Sequence, residues 1–247
     1  MTCKYRLHPD FSHYEDFLQN IPSLFASVSS NIHKARNELK ILTLDNSNFV
    51  VKSFKVPHLL NKIVYTFLRS SKARKSYEYS LKIINFVPKP VGFIEFYKYG
   101  LLNESYFISE RFDYDFTIRE PLLDASFEQR EEIMRAFARF TLELHQNDIF
   151  HNDYSPGNIL IKKENGSYVF KIVDINRMKF APLSQKERAK NFSKLWAHDA
   201  LLKIIADEYA KHYKVDAYFT DQVLYYSNQN KKIKNFKKRL KGQEVKD

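Results

Sequence analysis

Apolar and polar positions alternate in several places along the first half of the chain, and that alternation sets the first expectations. Two runs, ELKILTL (Glu38–Leu44) and FVVKSF (Phe49–Phe54), flank the polar segment Asp45–Asn48 and read as a β-hairpin. A helical stretch follows, from after Pro57 to about Ile84, with Ser70–Ser71 as the place where it can break and Tyr77, Leu81 and Ile84 as its apolar positions. Pro88–Gly92 ends it. Two more β-like runs, VGFIEFYKYG and ESYFISERF, are separated by Leu101–Asn103. The order is hairpin, helix, hairpin. Residues 1–36 have no clear period.

The pattern then changes. Pro121–Phe150 reads as a helix with Ser126 as N-cap, Gln129 as its capping-box partner and an apolar stripe of Ile133, Phe137, Phe140 and Leu144. NILIKK and YVFKIVDI read as short strands around the turn ENGS, and the remainder reads as helical, punctuated by Pro182. The change from β-rich to helix-rich sequence near Glu120 places a lobe boundary at Arg111–Glu120. The expected fold is α+β and two-lobed. A small β-rich N-terminal lobe with one main helix (1–115) precedes a larger, mostly helical C-terminal lobe (116–247), in a single domain.

Composition narrows the picture. The chain has 247 residues, 44% hydrophobic and 15% aromatic, enough for a real core. Cys3 is the one cysteine, which excludes an intrachain disulfide and a cysteine-rich zinc site. The N-terminal segment has charges where a signal peptide needs an apolar run, and no window approaches a membrane span of about 18 residues. The expected location is the cytoplasm.

The formal charge of +11 calls for an anionic partner or a tolerant surface. The excess is partly local: seven of the eleven residues from Lys231 to Lys241 are basic, with Ile233, Phe236 and Leu240 at helical spacing among them. A basic amphipathic helix over 229–241 could lie on an anionic inner-membrane surface. It could hold nucleic acid phosphates, or simply be a solvated tail; nucleic acid is not the expected partner, and no obligate protein partner is expected. Arg69, Lys72, Arg74 and Lys75 form a second basic cluster.

The chemistry concentrates between His151 and Phe180. His151-x-Asp153-x-x-x-x-Asn158 lies on a loop between a helix and a strand, and the next apolar strand ends in Asp174. Phosphoryl transfer asks a protein for positioning and charge neutralisation. A carboxylate must meet the acceptor hydroxyl, and hard oxygen ligands must hold Mg²⁺ on the phosphates of ATP. Asp153 fits the first task; Asn158 and Asp174 fit the second. Each is also an ordinary turn residue, and the spacing with its strand context lifts the set above that reading. His151 is expected to orient the loop. Upstream, Lys52 on a strand would contact the nucleotide phosphates, and Glu78 on the following helix would pair with it, with Glu38 and Glu95 as competitors.

These residues carry a resemblance. VVKSF, SSKARKSYEYSLKII, VPKPVGFIE, ESYFISE, FHNDYSPGNILIKK and VDINRMKF resemble the lipopolysaccharide kinases, the Kdo/WaaP family of the protein-kinase-like superfamily, over about Asn37 to Leu195. Asp-Ile-Asn-Arg-Met stands where protein kinases carry Asp-Phe-Gly. Arg177 and Lys186–Leu195 also look like that family, and Bacteroides-type proteins with a Kdo kinase domain look nearest.

The resemblance implies ATP- and Mg²⁺-dependent phosphorylation of an inner-core sugar, Kdo or heptose, on a glycolipid at the cytoplasmic face of the inner membrane. It implies Lys52 and Glu78 as the nucleotide anchor, Asp153 as base, Asn158 and Asp174 as Mg²⁺ ligands, and the backbone around Glu110–Phe112 against the adenine.

Two departures limit it. No glycine precedes Gly92, so a Gly-rich phosphate loop is missing, with Ser27–Asn31 as the expected substitute. No Ala-Pro-Glu motif follows Asp174, which argues against protein substrates. A nucleotide-binding module without transfer and an atypical RIO-like protein kinase stay open as alternatives.

Overall fold

The structure, a computed structural model, describes residues 2–29, 33–34, 37–54 and 59–243. The chain forms two compact units, Met1–Asp113 and Tyr114–Asp247. The first is the smaller and β-rich; the second is larger and mostly helical.

The N-terminal unit is built on a six-stranded sheet. In chain order its elements are β1 (Thr2–Leu7), a 3-10 turn (Pro9–Tyr14), α1 (Glu15–Gln19), α2 (Ile21–Ser27), β2 (His33–Lys34), β3 (Glu38–Leu44), β4 (Ser47–Phe54), α3 (Leu59–Phe67), α4 (Lys72–Lys82), β5 (Pro90–Lys98) and β6 (Leu101–Glu110). The strands lie in the order β1-β5-β6-β4-β3-β2, each antiparallel to its neighbours.

Side chains alternate across the sheet, so each face has its own core. One face gathers Phe49 and Val51 of β4 and Ile94 and Phe96 of β5 with Phe11, Phe17, Leu18, Ile21 and Phe25 from the helical N-terminal segment. The buried Lys40 fastens that segment, donating from Nζ to the carbonyls of Phe25 and Val28, both at 2.6 Å. The other face gathers Phe54 and Phe93 with Ala73 and Tyr77 of α4. Lys52 is two residues from Phe54, so it belongs to the face that α4 covers.

Both hairpins form, with tighter turns than the sequence suggests. Asp45 (φ 48°) and Asn46 (φ 61°) make the first, and Tyr99 (φ 53°) and Gly100 (φ 73°) make the second. Two residues of positive φ match the twist of the flanking strands. Leu101–Asn103, expected as the second turn, belong to β6, because Gly100 supplies the left-handed position just before them.

The long helix is two helices. Ser71 caps α4, its Oγ accepting the Arg74 N–H at 3.0 Å, so the break at Ser70–Ser71 is real. The expected start at Pro57 lies outside the described residues. The apolar positions also differ: Leu81 and Ile84 are exposed, and the buried face is Ala73, Ser76, Tyr77 and Ser80. Small residues let α4 lie close to the sheet, where Tyr77 meets the Phe93 ring with 5.5 Å between centroids.

The C-terminal unit comprises β7 (Phe116–Thr117), α5 (Arg119–Leu123), α6 (Arg130–Gln146), β8 (Ile149–His151), β9 (Ile159–Glu164), β10 (Ser167–Ile172), β11 (Met178–Phe180), α7 (Gln185–Asn191), a 3-10 turn (Phe192–Lys194), α8 (Asp199–His212) and α9 (Phe219–Arg239). Ile133, Phe137, Phe140 and Leu144 are buried on α6, as their spacing predicts. Phe137 and Phe140 pack on Phe170 of β10. On the same helix Arg135 and Arg139 reach the buried Glu208 of α8 at 3.2 and 2.6 Å.

Three expectations are corrected here. Ser126 does not cap α6: its N–H and hydroxyl both donate to Asp124 Oδ1, which closes a turn, and the helix begins at Arg130 after Gln129 in the left-handed region. The helix also ends at Gln146, and Ile149–His151 pairs with Met178–Phe180 as a two-stranded ribbon inside sequence read as helical on both sides. The basic C-terminal segment is the last part of a longer helix that starts at Phe219.

Candidate active site

The loop from His151 to Asn158 is held from three sides. His151 is buried, and the Asp153 N–H donates to its Nδ1 at 3.0 Å. An accepting Nδ1 puts the ring proton on Nε2, which donates to the Val173 carbonyl at 3.0 Å. His151 therefore ties the residue before Asp174 to the backbone of Asp153. Burial pushes its pKa below the usual histidine range, against the pull of the Val173 carbonyl and of Asp153 and Asp174.

Asn158 closes the loop from the other end. Its Nδ2 donates to the Asp153 carbonyl at 2.9 Å, and its own carbonyl accepts the Val173 N–H at 2.9 Å. The β9–β10 ladder ends at the Ile159↔Ile172 pair, so Asn158 and Val173 continue it by one step and Asp174 follows directly. Tyr154 anchors the middle. It is fully buried, stacks on Phe137, and its hydroxyl meets Thr141 Oγ1 at 2.9 Å. Thr141 Oγ1 donates to the Phe137 carbonyl, so the tyrosine is the donor to Thr141.

Asp174 adopts φ 58°, in the left-handed region that aspartate tolerates better than most residues. Asn176 Nδ2 donates to its Oδ1 at 2.6 Å. Arg177, three residues after Asp174, places a guanidinium nitrogen 2.5 Å from Asp153 Oδ2. Asp153 and Asn158 thus share one hydrogen-bonded web with His151 and Val173, the residue directly before Asp174.

The donor set suits a hard cation. Asn158 has its amide nitrogen committed to the Asp153 carbonyl, so its oxygen is the end that would meet a cation, and Asp174 would add a carboxylate. Among the described residues no group of three or more His, Cys, Asp or Glu gathers to hold a metal by itself. A pair of protein oxygens completed by water and phosphate is the manner in which Mg²⁺ is ordinarily held.

The N-terminal unit positions the other candidates. Lys52 sits mid-strand on β4, with Nζ 5.5 Å from the centroid of Phe54. Glu78 lies on α4, with Arg74 Nε at 3.9 Å. Its competitors Glu38 and Glu95 lie on strands, and Glu95 is buried, accepting the Tyr97 hydroxyl at 2.9 Å. Glu110 ends β6. Its N–H is taken by the Lys89 carbonyl and the Arg111 N–H by Asn48, each at 2.9 Å, and Phe112 follows, half-buried.

The expected phosphate-covering segment, Ser27–Asn31, is described only in part. Ser27 ends α2, its Oγ donating back to Leu24, and Val28 is held by Lys40; Ser30 and Asn31 lie outside the described residues. Across the sheet Leu39 pairs with Lys52 and Glu38 with Ser53, and β2 reaches β3 through a short connection. Residues 35 and 36 of that connection lie outside the described residues.

A buried network beneath the loop escaped sequence reasoning. Asn191, at the end of α7, donates from Nδ2 to the His151 carbonyl and accepts at Oδ1 from His145 Nε2, both at 3.0 Å. His145 Nδ1 then accepts from the Tyr209 hydroxyl at 3.0 Å, which itself accepts from Arg188 at 2.9 Å. The links join α6, α7 and α8, and nothing local in the sequence pairs them.

The model of the lipopolysaccharide kinase (Kdo/WaaP) family matches residues 79–212. The chain belongs to that family. Membership supports phosphotransferase activity in general and does not single out a Bacteroides-type subgroup. A comparison with curated proteins found no match. Among solved structures, the chain is similar to WaaP in complex with acyl carrier protein, at 12% identity and a TM-score of 0.62, covering 93% of this chain and 99% of that one. It is also similar to the Rio2 kinase–ADP/Mg²⁺–phosphoaspartate complex from Chaetomium thermophilum, at 14% identity and a TM-score of 0.49, covering 90% of this chain and 68% of that one.

One partner expectation falls with these findings. The first of these structures, of the same fold, holds a protein, so the expectation that no obligate protein partner is involved is not kept. Among the described residues no helix is long and apolar enough to cross a membrane.

Proposed function

We propose that this Kdo/WaaP-family chain transfers the γ-phosphoryl group of ATP to a sugar hydroxyl, Kdo or heptose, of the lipopolysaccharide inner core, its two units acting as one kinase-like domain at the cytoplasmic face of the inner membrane. The observation that carries the reading is the His151 web, which ties Asp153, Asn158 and the approach to Asp174 into one unit.

In this reading Arg177 holds Asp153 Oδ2, and the other carboxylate oxygen meets the acceptor hydroxyl. The acceptor oxygen bonds to the γ-phosphorus, its proton passes to Asp153, and the bond to the bridging oxygen breaks to release ADP. Mg²⁺, when bound, neutralises phosphate charge, and Asn158 and Asp174 are the side chains that would hold it. Lys52 would meet the phosphates, steadied by Glu78 from the helix that covers its face. The backbone around Glu110 and Phe112 would meet the adenine.

The test is ATP-dependent phosphorylation of extracted lipopolysaccharide precursors, with mass spectrometry to locate the added group. Mg²⁺-dependent transfer that collapses in Asp153→Ala and Asp174→Ala supports the reading. ATP binding without transfer to any acceptor would favour a nucleotide-binding module instead.

A protein partner belongs to the same proposal. WaaP is solved with acyl carrier protein. In this chain the last turns of α9 expose Ile233 (52%), Phe236 (61%) and Leu240 (72%) among lysines. An apolar stripe edged by cations suits an acidic protein of that kind. Co-purification with acyl carrier protein that is lost in Phe236→Glu would support this docking; equal capture by both would overturn it.

A further inference from the structure

The most unusual charge arrangement outside the residues just assigned surrounds Lys194. This lysine ends the 3-10 turn after α7 and is half-buried. Among the described residues no acidic side chain forms an ion pair with it. Of the charges that act on it, Lys234 of α9, Lys190 of α7 and Arg177 disfavour its protonated form and Asp153 favours it. Asp153 is itself already engaged by Arg177. Burial first, then the nearby Lys234, push the lysine's pKa down, and Asp153 only partly opposes them.

The position is rigidly built. Asn191, three residues before Lys194, is bonded to the His151 carbonyl and so fixes this turn against the strand that feeds the catalytic loop. On the far side α9 is pinned to the same segment: Asn230 donates to the Ser193 carbonyl and Lys231 to the Ala197 carbonyl, both at 2.8 Å. Between them Trp196 takes φ 57°, a left-handed conformation that is costly for a bulky side chain. Lys234 and Lys238 lie over its ring, 5.4 and 5.6 Å from the centroid. Like charges held on one half-buried segment repel, and an anion seated among them removes that repulsion.

We propose that Lys194, with Lys190, Lys234 and Arg177 around it, is the subsite for an anionic group of the acceptor, a carboxylate or a phosphate carried next to the hydroxyl that Asp153 receives. The inference rests on the kinase reading of Asp153 and deepens it by naming the acceptor's charge. A negative group brought beside the phosphates of ATP is repelled by them, and a cationic seat removes that repulsion at the point where the two substrates meet. It also orients the acceptor, because one ionic contact and one hydroxyl contact define a direction.

Trp196 is the one tryptophan of the chain, so its fluorescence reports on this segment alone. The experiment titrates the full chain, at fixed ionic strength, with free Kdo as the carboxylate probe, with glucose 6-phosphate as the phosphate probe, and with glucose as the neutral one. The expected result is a saturable change with at least one anionic sugar and none with glucose. The apparent Kd rises about tenfold in Lys194→Ala, stays near wild type in Lys194→Arg, and is unmoved in Lys203→Ala, which removes one exposed charge from α8. Whichever anionic arm saturates identifies the group. Identical titrations of wild type and Lys194→Ala, no response to either anion, or an equal response to glucose would each overturn the subsite. ATP–Mg²⁺ binding and transfer are measured separately, so loss of the subsite leaves the kinase reading standing, and loss of transfer with an intact anion response does the reverse.

Discussion

Asn191 joins two histidines that are far apart in sequence: its Oδ1 accepts from His145 Nε2 and its Nδ2 donates to the His151 carbonyl, each at 3.0 Å. One amide on α7 thereby links α6 to the strand that leads into the candidate catalytic loop. A buried amide with both ends engaged leaves two groups unpaired when it is removed, and each such group is costly.

Asn191→Ala is accordingly expected to lower unfolding stability by about 2 kcal/mol or more and to reduce transfer activity by loosening the loop. The exposed neighbour Lys190→Ala is expected to stay within about 0.5 kcal/mol of wild type. Urea denaturation of the two variants makes the comparison.

Acid should weaken the same network. Burial pushes His145 down to about 4 from its ordinary 6.5, with Asn191 opposing and Arg188 assisting. Below pH 6.5 the unfolded chain takes up the proton first. The contribution is therefore complete above pH 6.5, and it is lost as pH falls through 4, to at most about 3 kcal/mol. His151 is shifted the same way and adds to the loss. Stability measured between pH 7.5 and 4 should fall across this window in wild type and more gently in His145→Gln.

Asp153→Ala and Asp174→Ala are expected to reduce phosphoryl transfer by about 10²-fold to 10⁴-fold each while leaving the fold intact. Asp153 loses only a largely exposed ion pair to Arg177, which contributes about 1 kcal/mol at most. Melting temperatures beside initial rates separate the chemical loss from unfolding.

Gly92 is a backbone contact rather than a flexible hinge. A Cβ there would stand 2.7 Å from the Arg6 carbonyl oxygen, at the Leu7↔Gly92 end of the β1–β5 ladder. Gly92→Ala is expected to cost about 1–3 kcal/mol, because backbone and not a side-chain end must give way. Hydrogen exchange of the β1 amides should accelerate in the variant if the strain is relieved by release of that strand.

Local chemistry was legible along the chain. The alternation in Glu38–Leu44, the stripe on α6, the turn at Asn165–Gly166 and the ordered set Asp153, Asn158 and Asp174 each depend on neighbours a few residues away. Period and turn propensity report that range directly. The errors had one origin as well. Leu81 and Ile84 have helical spacing but face solvent, because α4 approaches the sheet through Ala73, Ser76 and Ser80. Met178–Phe180 becomes a strand because Ile149–His151 lies beside it.

What the sequence alone determined was the alphabet of the candidate site: an ordered set of oxygen-bearing residues and the kinds of element that carry them. Tertiary structure decided the rest, from the Asn191 bridge to the cations around Lys194. Those partners come from α6, α7, α8 and α9, and their interactions act through space between residues that no local rule of the chain brings together.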